Sequence, residues 1–247
     1  MNWIIRVLVL VVLWNIGFAS EVKYKLYCMY TPIYEEFFKA VFLPSIKDNF
    51  SLEVYSYPQD CPSGEFYTPG WSKTTSNKLL MLKEAIIDNW GGIFFYSDID
   101  IAFMQPILEH SLHYLGLNDF VVQQEWPYKQ LCSGFFVMRG NKRTLKLIEK
   151  AYYLQSQGYC SDDQTAIQMA LKDRLFKGIQ WQFLPIEQYP NGQYLLNPQG
   201  RESQLYSKGS VVTVNSSMLL FHANWCVGLE QKQDFLERAQ KMYLDMR

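Results

Sequence analysis

The chain has 247 residues, of which 49% are hydrophobic and 16% aromatic, and its formal net charge is −1. This length and apolar content are enough for one large domain with a substantial core. The near-neutral charge, without blocks of like charge, argues against a nucleic-acid surface or an acidic tail.

The first residues form a segment of their own. Arg6 precedes an apolar run that is shorter than the about 20 residues that a membrane span needs. Gly17 and Ala19 supply small residues at the two positions that a signal peptidase inspects. We therefore expect residues 1–19 to be a signal peptide and residues 20–247 to be the mature domain. A short uncleaved signal-anchor is the alternative, and only then would a membrane hold the protein.

Two further features bear on export. Glycosylation sequons begin at Asn49 and Asn215, and such triplets are used only in a eukaryotic secretory lumen. The cysteines are Cys28, Cys61, Cys132, Cys160 and Cys226. They include no CxxC pair, which argues against a zinc cluster. In an oxidising compartment we expect up to two disulfides and one free thiol, with buried thiols as the alternative. These features favour the secretory pathway, in the Golgi or ER lumen of a eukaryote.

Strand and helix patterns alternate after the leader. An aromatic run over 24–30, an alternating run over 52–57 and a short apolar run over 93–96 predict strands. Helical spacing follows Pro32 and recurs from Leu79 onwards. The order β, α, β, α, β predicts the first half of an α/β sheet of mostly parallel strands.

The second half of the chain is less regular. Strands are predicted over 120–122, 135–138, 211–214 and 218–222, and helices over 142–157, 163–171 and 229–246. The stretches 57–74 and 189–209 are rich in turn-forming residues and predict surface loops. Because no repeat or low-complexity segment interrupts these elements, we expect one unit with a Rossmann-like front half.

Two acids stand where the strand over 93–96 ends. Side chains one residue apart in extended chain point the same way, so Asp98 and Asp100 can approach one divalent cation. Oxygen ligands suit Mg²⁺ or Mn²⁺, and ligands of open α/β sheets lie beyond the carboxyl ends of strands. The chain has neither a Gly-rich loop ending in Lys-Ser or Lys-Thr nor a GxGxxG motif. A metal ion that bridges the acids to a diphosphate would take the place of these phosphate-binding motifs. The alternative is that both acids are solvated loop residues.

Four blocks of sequence follow one another at 71–100, 132–139, 161–166 and 221–228. They contain GGIFFYSDID, CSGFFVMR, SDDQTA and FHANWCVG. In this order they resemble the nucleotide-diphospho-sugar transferase family, glycosyltransferases of the GT-A fold. The resemblance implies a mixed, Rossmann-like sheet flanked by helices in a single domain. It also implies metal-dependent transfer of a sugar from a nucleotide sugar, which we expect to be UDP-linked, to an acceptor hydroxyl with retention. Glycan, protein and lipid acceptors all stay open.

The resemblance gives three residues roles at a metal. Asp100 would ligate Mn²⁺, or Mg²⁺ in its place, while Asp98 would hold the metal or the ribose of the nucleotide. His222 matches the histidine that completes the metal shell, and a neutral imidazole ligates Mn²⁺ readily. Without its neighbours in the block, His222 would be interpreted as a core histidine at a strand end.

The resemblance also gives roles to charged residues outside the metal shell. Asp163 would lie near the donor sugar and the acceptor hydroxyl, and Asp162 could exchange roles with it. The alternative is helix capping, and one acid can cap while the other faces the cleft. Lys78 matches a position near the diphosphate, although Lys73 is the other candidate for the equivalent lysine.

Three residues would contact the donor. Gly134 would let the backbone approach the donor sugar, with a bulge or turn as the alternative. Tyr30 and Thr31 end the first predicted strand, where such folds receive the base, and a tyrosine ring could stack on uracil. The loops 57–74 and 189–209 are where we expect acceptor contacts.

Two other functions fit parts of the sequence. An apolar strand ending in DxD also describes haloacid dehalogenase-type phosphohydrolases, in which Asp98 would be the nucleophile. Two strand and helix units precede Asp98, however, and the nucleophile strand of that family begins the fold. The other function is a secreted sugar-binding protein that has lost turnover, but both acids and His222 are present.

Overall fold

The computed structural model describes residues 23–200 and 203–247, so the predicted leader at 1–19 lies outside the described part. Its strands are β1 Lys25–Tyr30, β2 Ser51–Ser56, β3 Ile93–Ser97, β4 Ile101–Phe103, β5 Phe120–Glu125, β6 Gln130–Arg139, β7 Trp181–Phe183 and β8 Leu220–His222. A continuous helical segment, α1, covers residues 32–45 and includes a π-helical stretch, Phe38–Phe42. The later helices are α2 Trp71–Asp88, α3 Leu108–Leu115, α4 Lys142–Ser156, α5 Asp163–Lys172, α6 Gly192–Leu196 and α7 Gly228–Asp245. No helix among these described residues is long and apolar enough to cross a membrane.

The described strands form two sheets. The central sheet has the order β2-β1-β3-β6-β5-β7, and a separate pair joins β4 to β8. Strand β1 is parallel to both β2 and β3, whereas β6 is antiparallel to β3 and β5. The parallel front half is as predicted from the sequence, and the antiparallel β6 makes the whole sheet mixed.

Helices cover both faces of the central sheet. Leu26, Cys28 and Phe95 point into one apolar cluster, which also contains residues of α1 and α7. Tyr27 and Phe94 point the other way, into a cluster with α2, α4 and α5. Burial on both faces explains why β1 and β3 are almost continuously apolar. The predicted α/β class, a mixed sheet flanked by helices in a single domain, is confirmed.

Both predicted loops are shorter than expected. The loop over 57–74 ends early because α2 begins directly after Gly70, whose φ of 86° is a left-handed conformation that suits glycine. The stretch 189–209 is not a surface loop at its start. Tyr189 is fully buried there, and α6 follows immediately.

The strand predicted over 211–214 is wrong. Val212 and Val214 are buried while their neighbours are exposed, which produces the alternation seen in the sequence. The segment pairs with no strand among the described residues, and Thr213 N donates to Leu195 O at 2.7 Å. The alternation of apolar and polar residues therefore reflects an extended segment that packs on the core and does not pair in a sheet.

The predicted disulfides are also wrong. All the cysteines lie in the described part of the chain and are free thiols. Four of them are buried and Cys160 is half-buried, so the alternative of buried thiols fits better.

Candidate functional site

A cavity of about 560 Å³ opens at the carboxyl ends of β1 and β3. This is the edge where ligands of open α/β sheets lie. Most predicted site residues line it: Tyr30, Lys78, Asp98, Asp100, Asp162, Asp163 and His222. Thr31 and Gly134 are not among the described residues of its lining. The fold thus brings together side chains that are far apart in the sequence.

The pairing of β4 with β8 places a histidine beside the two acids. Asp98 and Asp100 lie in the turn between β3 and β4. Ile101 is opposite His222 in the antiparallel register, and Ala223 N donates to Asp100 O at 2.9 Å. This two-stranded sheet fixes the distance between the DxD turn and the histidine of the last sequence block.

The two acids and the histidine form a group that can hold a metal ion. Asp98, Asp100 and His222 each offer one ligand atom, and these atoms lie within 4.8 Å of one another. Two carboxylates and an imidazole suit Mn²⁺ or Mg²⁺, since carboxylate oxygen is the ligand both ions prefer. Asp100 and His222 are buried, so they are shielded from bulk water.

The hydrogen bonds of Gln123 fix the state of this histidine. The Gln123 amide nitrogen donates to the carbonyls of Tyr189 and Pro190 at 3.1 and 2.8 Å, so Oε1 faces His222 Nδ1 at 2.8 Å. Nδ1 must then carry the proton, and in the neutral ring Nε2 is an acceptor. Nε2 lies 3.5 Å from the Asp100 carboxylate, which is also an acceptor. A cation between them would relieve this repulsion, so the residues fit a bound metal.

Lys78 on α2 is buried and joins two of the predicted acids. Its Nζ lies 3.0 Å from Asp98 Oδ1 and 3.0 Å from Asp163 Oδ2, and it donates to Ser133 Oγ at 3.2 Å. The ammonium also lies 4.7 Å from the centre of the Tyr96 ring. Burial alone would lower the pKa of Lys78, but Asp163 and Asp98 raise it above its usual value, so the ammonium stays charged.

Lys232 on α7 is a second, partly buried lysine of the cavity, and sequence reasoning missed it. It forms an ion pair with Asp100, and its Nζ lies 3.4 Å from the carbonyl oxygen of Ala223. Burial alone would raise the pKa of Asp100, but the Lys232 ammonium holds it well below its usual value. In the sequence Lys232 is one of several polar residues on an amphipathic helix, so no motif distinguished it.

The acids at the start of α5 divide the two predicted roles. Asp162 caps the helix, accepting from Thr165 N at 2.7 Å and from Ser161 Oγ at 3.2 Å. Asp163 is buried in the cavity and ion-paired with Lys78. The structure therefore places Asp163 nearer the DxD acids, while Asp162 is bound to its own helix.

Tyr30 and Thr31 end β1 but face different surroundings. The Tyr30 ring stacks on Phe38 with centroids 4.8 Å apart, and it lines the cavity. Thr31 is buried beside it, and its carbonyl accepts from Tyr34 N at 2.8 Å. Of the two, the structure exposes Tyr30 to a ligand.

Gly134 has a contact that the sequence did not reveal. It lies where β6 bulges opposite the junction of Val122 and Gln123. A Cβ at this position would come within 2.1 Å of the His222 ring. Glycine is therefore needed here for the histidine to pack against β6. The expected approach of Gly134 to the donor sugar stays a prediction.

Glu125 supports the far wall of the cavity, and sequence reasoning missed this residue as well. Its carboxylate accepts from Trp225 Nε1 at 2.7 Å and from Asn224 Nδ2 at 3.2 Å, and also from Asn191. Burial raises the pKa of Glu125. Asn224 and Trp225 belong to the last sequence block, but only the fold shows which acid holds them.

Two solved structures share this fold. Glycosyltransferase GlyE of Streptococcus pneumoniae TIGR4 aligns with a TM-score of 0.56 and 13% identity, over 91% of this chain and 62% of that one. A glycosyltransferase involved in the glycosylation of the major capsid of PBCV-1 aligns with a TM-score of 0.54 and 12% identity, over 89% of this chain and 99% of that one. The chain thus spans 62% of the length of GlyE. At these identities the likeness concerns the fold, and that fold is the GT-A fold of glycosyltransferases.

The family follows from the sequence match. A family model described as nucleotide-diphospho-sugar transferase matches residues 51–236. The chain belongs to the nucleotide-diphospho-sugar transferase family, a family of sugar-transferring enzymes. A search of the curated proteins found no match. The family assignment leaves the phosphohydrolase alternative without support.

Proposed function

We propose that this protein transfers a sugar from a UDP-sugar to an acceptor hydroxyl, with a divalent cation and with retention at the anomeric carbon. The observation that carries the proposal is the cluster of Asp98, Asp100 and His222 within 4.8 Å at the carboxyl edge of the sheet. The buried Lys78 and the partly buried Lys232 flank this cluster. Metal ligands beside fixed cations match the charge of a nucleoside diphosphate.

Asp98, Asp100 and His222 would hold Mn²⁺ or Mg²⁺. When bound, such an ion stabilises the negative charge that develops on the diphosphate leaving group. The protein supplies the orientation of its ligands, because Gln123 keeps the Nε2 of His222 free to coordinate.

Lys78 and Lys232 would face the diphosphate. Both lie in the cavity lining, and neighbouring carboxylates raise the pKa of both above the usual lysine value. Their charges therefore persist at neutral pH. In a buried site these charges act on the leaving group more strongly than they would in water.

The nucleoside would lie at the end of β1. The Tyr30 ring is backed by Phe38, which holds it in place as a stacking surface for uracil. Asp98 is half-buried and nearest to the Lys78 side of the cluster, where it can accept from a ribose hydroxyl.

Asp163 would orient the donor sugar. Its ion pair with Lys78 holds its carboxylate in position, so we assign it a hydrogen-bonding role. In transfer with retention the acceptor oxygen bonds to the anomeric carbon on the face that the diphosphate leaves. The departing diphosphate oxygen takes the acceptor proton, so the protein need not supply a base. The family resemblance and the commitment of His222 to the metal cluster support this proposal.

We also propose export, with the acceptor met in the secretory pathway. The apolar leader with small residues before its expected cut supports this proposal. Asn49 is exposed and Asn215 is half-exposed, so both sequons are accessible to glycosylation.

Calorimetric titration of the full chain with UDP tests the core of the proposal. We expect UDP to bind when Mn²⁺ is present, and Asp100→Ala to abolish this binding. Asp173→Ala is the matched control, because Asp173 is ion-paired with Lys150 outside the cavity lining. Binding should survive in that control.

The proposal fails if the folded protein binds no UDP with Mn²⁺ or Mg²⁺, or binds it equally well without a cation. Hydrolysis of the UDP-sugar without an acceptor separates an enzyme from a binding protein that has lost turnover, because only the enzyme releases UDP.

A further inference from the structure

Large apolar side chains stand exposed at the mouth of the cavity. Tyr67, Tyr128 and Leu205 line it with 74%, 52% and 49% of their surfaces accessible. They come from three separate loops, which follow β2, β5 and α6. Single exposed apolar side chains are normal on a protein surface. Several that converge on one cavity indicate a binding surface.

The loop that carries Tyr67 is rigidly built. Of the described residues other than glycine, Tyr67 alone has a positive φ, of 60°. Bulky residues rarely adopt this conformation. Thr68 Oγ1 donates to the Glu65 carbonyl at 2.6 Å, and Trp71 N donates to the Thr68 carbonyl at 3.0 Å. Backbone strain that the surrounding contacts maintain is typical of functional sites.

The ends of this loop are anchored to the body of the protein. Tyr34 donates to the Gly64 carbonyl at 3.0 Å, and a Cβ on Gly64 would come within 2.7 Å of the Tyr34 ring. At the other end a Cβ on Gly70 would lie 1.9 Å from the carbonyl oxygen of Asp60. The two glycines allow close packing at both ends, so the tyrosine is held in its exposed position.

The described residues at the mouth include acids and amides. Glu65, Asp162 and Gln130 line the cavity beside the tyrosines. Burial raises the pKa of Tyr67, and the charges of Asp162 and Glu125 add to this effect. The lysines among the described lining residues are the two at the floor, where carboxylates neutralise both. An anionic acceptor would meet repulsion at this mouth.

We propose that the mouth of the cavity is an acceptor subsite for an uncharged sugar unit, packed between Tyr67 and Tyr128 and hydrogen-bonded to Glu65 and Gln130. This inference rests on the proposed function. Sugar rings have apolar faces that pack on aromatic rings and hydroxyls that donate to carboxylates. The mouth offers both kinds of contact. Phospholipid and phosphorylated acceptors are disfavoured by the same acids.

Saturation-transfer NMR tests the subsite on the full chain with UDP and Mn²⁺. The probes are neutral methyl glycosides of galactose, glucose, mannose, xylose, arabinose and fucose, together with methyl glucuronide and a short Ser/Thr peptide. We expect at least one neutral glycoside to bind. Tyr67→Ala and Tyr128→Ala should each weaken its affinity about five-fold or more, whereas Tyr67→Phe should not. Tyr153→Ala, at a tyrosine of similar exposure on α4, should change it less than two-fold.

UDP titrations of the same samples separate the two proposals. If UDP binds and no neutral glycoside does, or if glycoside binding ignores both variants, the acceptor subsite is wrong and the transferase proposal stands. Preferential binding of the glucuronide or the peptide also overturns the subsite. If UDP itself does not bind, the proposed function fails.

Discussion

The two lysines of the cavity, Lys78 and Lys232, differ in the groups that hold them. Lys78 contacts two carboxylates, a serine hydroxyl and an aromatic ring, all of them within the central sheet and the helices packed on it. Lys232 has one ion-pair partner among the described residues, Asp100, which is also a candidate metal ligand, and its Nζ lies 3.4 Å from the carbonyl oxygen of Ala223. A charge with several partners is part of the framework, whereas a charge with one shared partner is free to exchange it.

This difference in partners shows that closeness to Asp98 and Asp100 does not by itself define the role of a residue. In the proposed function both lysines serve the same diphosphate, but in the folded protein without ligands Lys78 neutralises two carboxylates and Lys232 one. The contrast can be tested by measuring both the unfolding free energy and the ligand affinity of variants of each lysine.

The largest effect is expected for Lys78→Met. The change leaves Asp98 and Asp163 without their shared cation, and removing one partner of a buried pair costs about 3–5 kcal/mol. Urea denaturation of the variant should show this loss of unfolding free energy. Lys73→Met is the control, because Lys73 is 70% exposed and pairs with Asp60 at the surface. We expect it to cost at most about 1 kcal/mol.

That comparison also separates the two candidate lysines of the sequence resemblance. If Lys73→Met were the more damaging change, for stability or for UDP affinity, the assignment of Lys78 would be wrong.

For Lys232→Met we expect two effects of intermediate size and opposite sign, one on the affinity for Mn²⁺ and one on the affinity for UDP. Since the ammonium and a cation compete for Asp100, the variant should bind Mn²⁺ about ten-fold more tightly without nucleotide. Its affinity for UDP should fall by about the same factor, because the diphosphate loses a cationic partner. Calorimetry with Mn²⁺ alone and then with UDP measures both. Two changes of the same sign would contradict the idea that Lys232 exchanges partners.

The smallest effect is expected for Asp162→Ala, which tests the division of roles at α5. Loss of the cap to Thr165 should lower the unfolding free energy by about 1 kcal/mol and leave UDP affinity within two-fold. Asp163→Asn should instead reduce sugar transfer at least about 100-fold while the helix cap persists. Equal transfer rates in the two variants would show that the capping acid and the cavity acid are not distinct.

The front half of the fold could be predicted because its signals are local. The strands over 24–30, 52–57 and 93–96 and the helix that follows Pro32 each carry their pattern within a few residues. In β1 and β3, burial on both faces of the sheet makes that pattern nearly continuous. Asp98 and Asp100 were found for the same reason, since one short motif at a strand end contains both.

The rest of the site depends on contacts between distant segments. Strand β4 has three residues and gives no periodicity to detect, yet its pairing with β8 brings His222 to Asp100. The family resemblance indicated His222, but Lys232 and Glu125 belong to no motif. Their importance follows from which buried groups they meet, and a single sequence does not specify these partners.

The pairing of β4 with β8 has a consequence for the order in which the protein is made. Lys232 lies 132 residues after Asp100. At 5–20 residues per second, a ribosome needs about 7 to 26 seconds to cover that distance. The nascent chain therefore presents the DxD turn before the segment that completes the charge cluster exists. The group of Asp98, Asp100 and His222 can therefore be complete only after β8 has been made and has paired with β4.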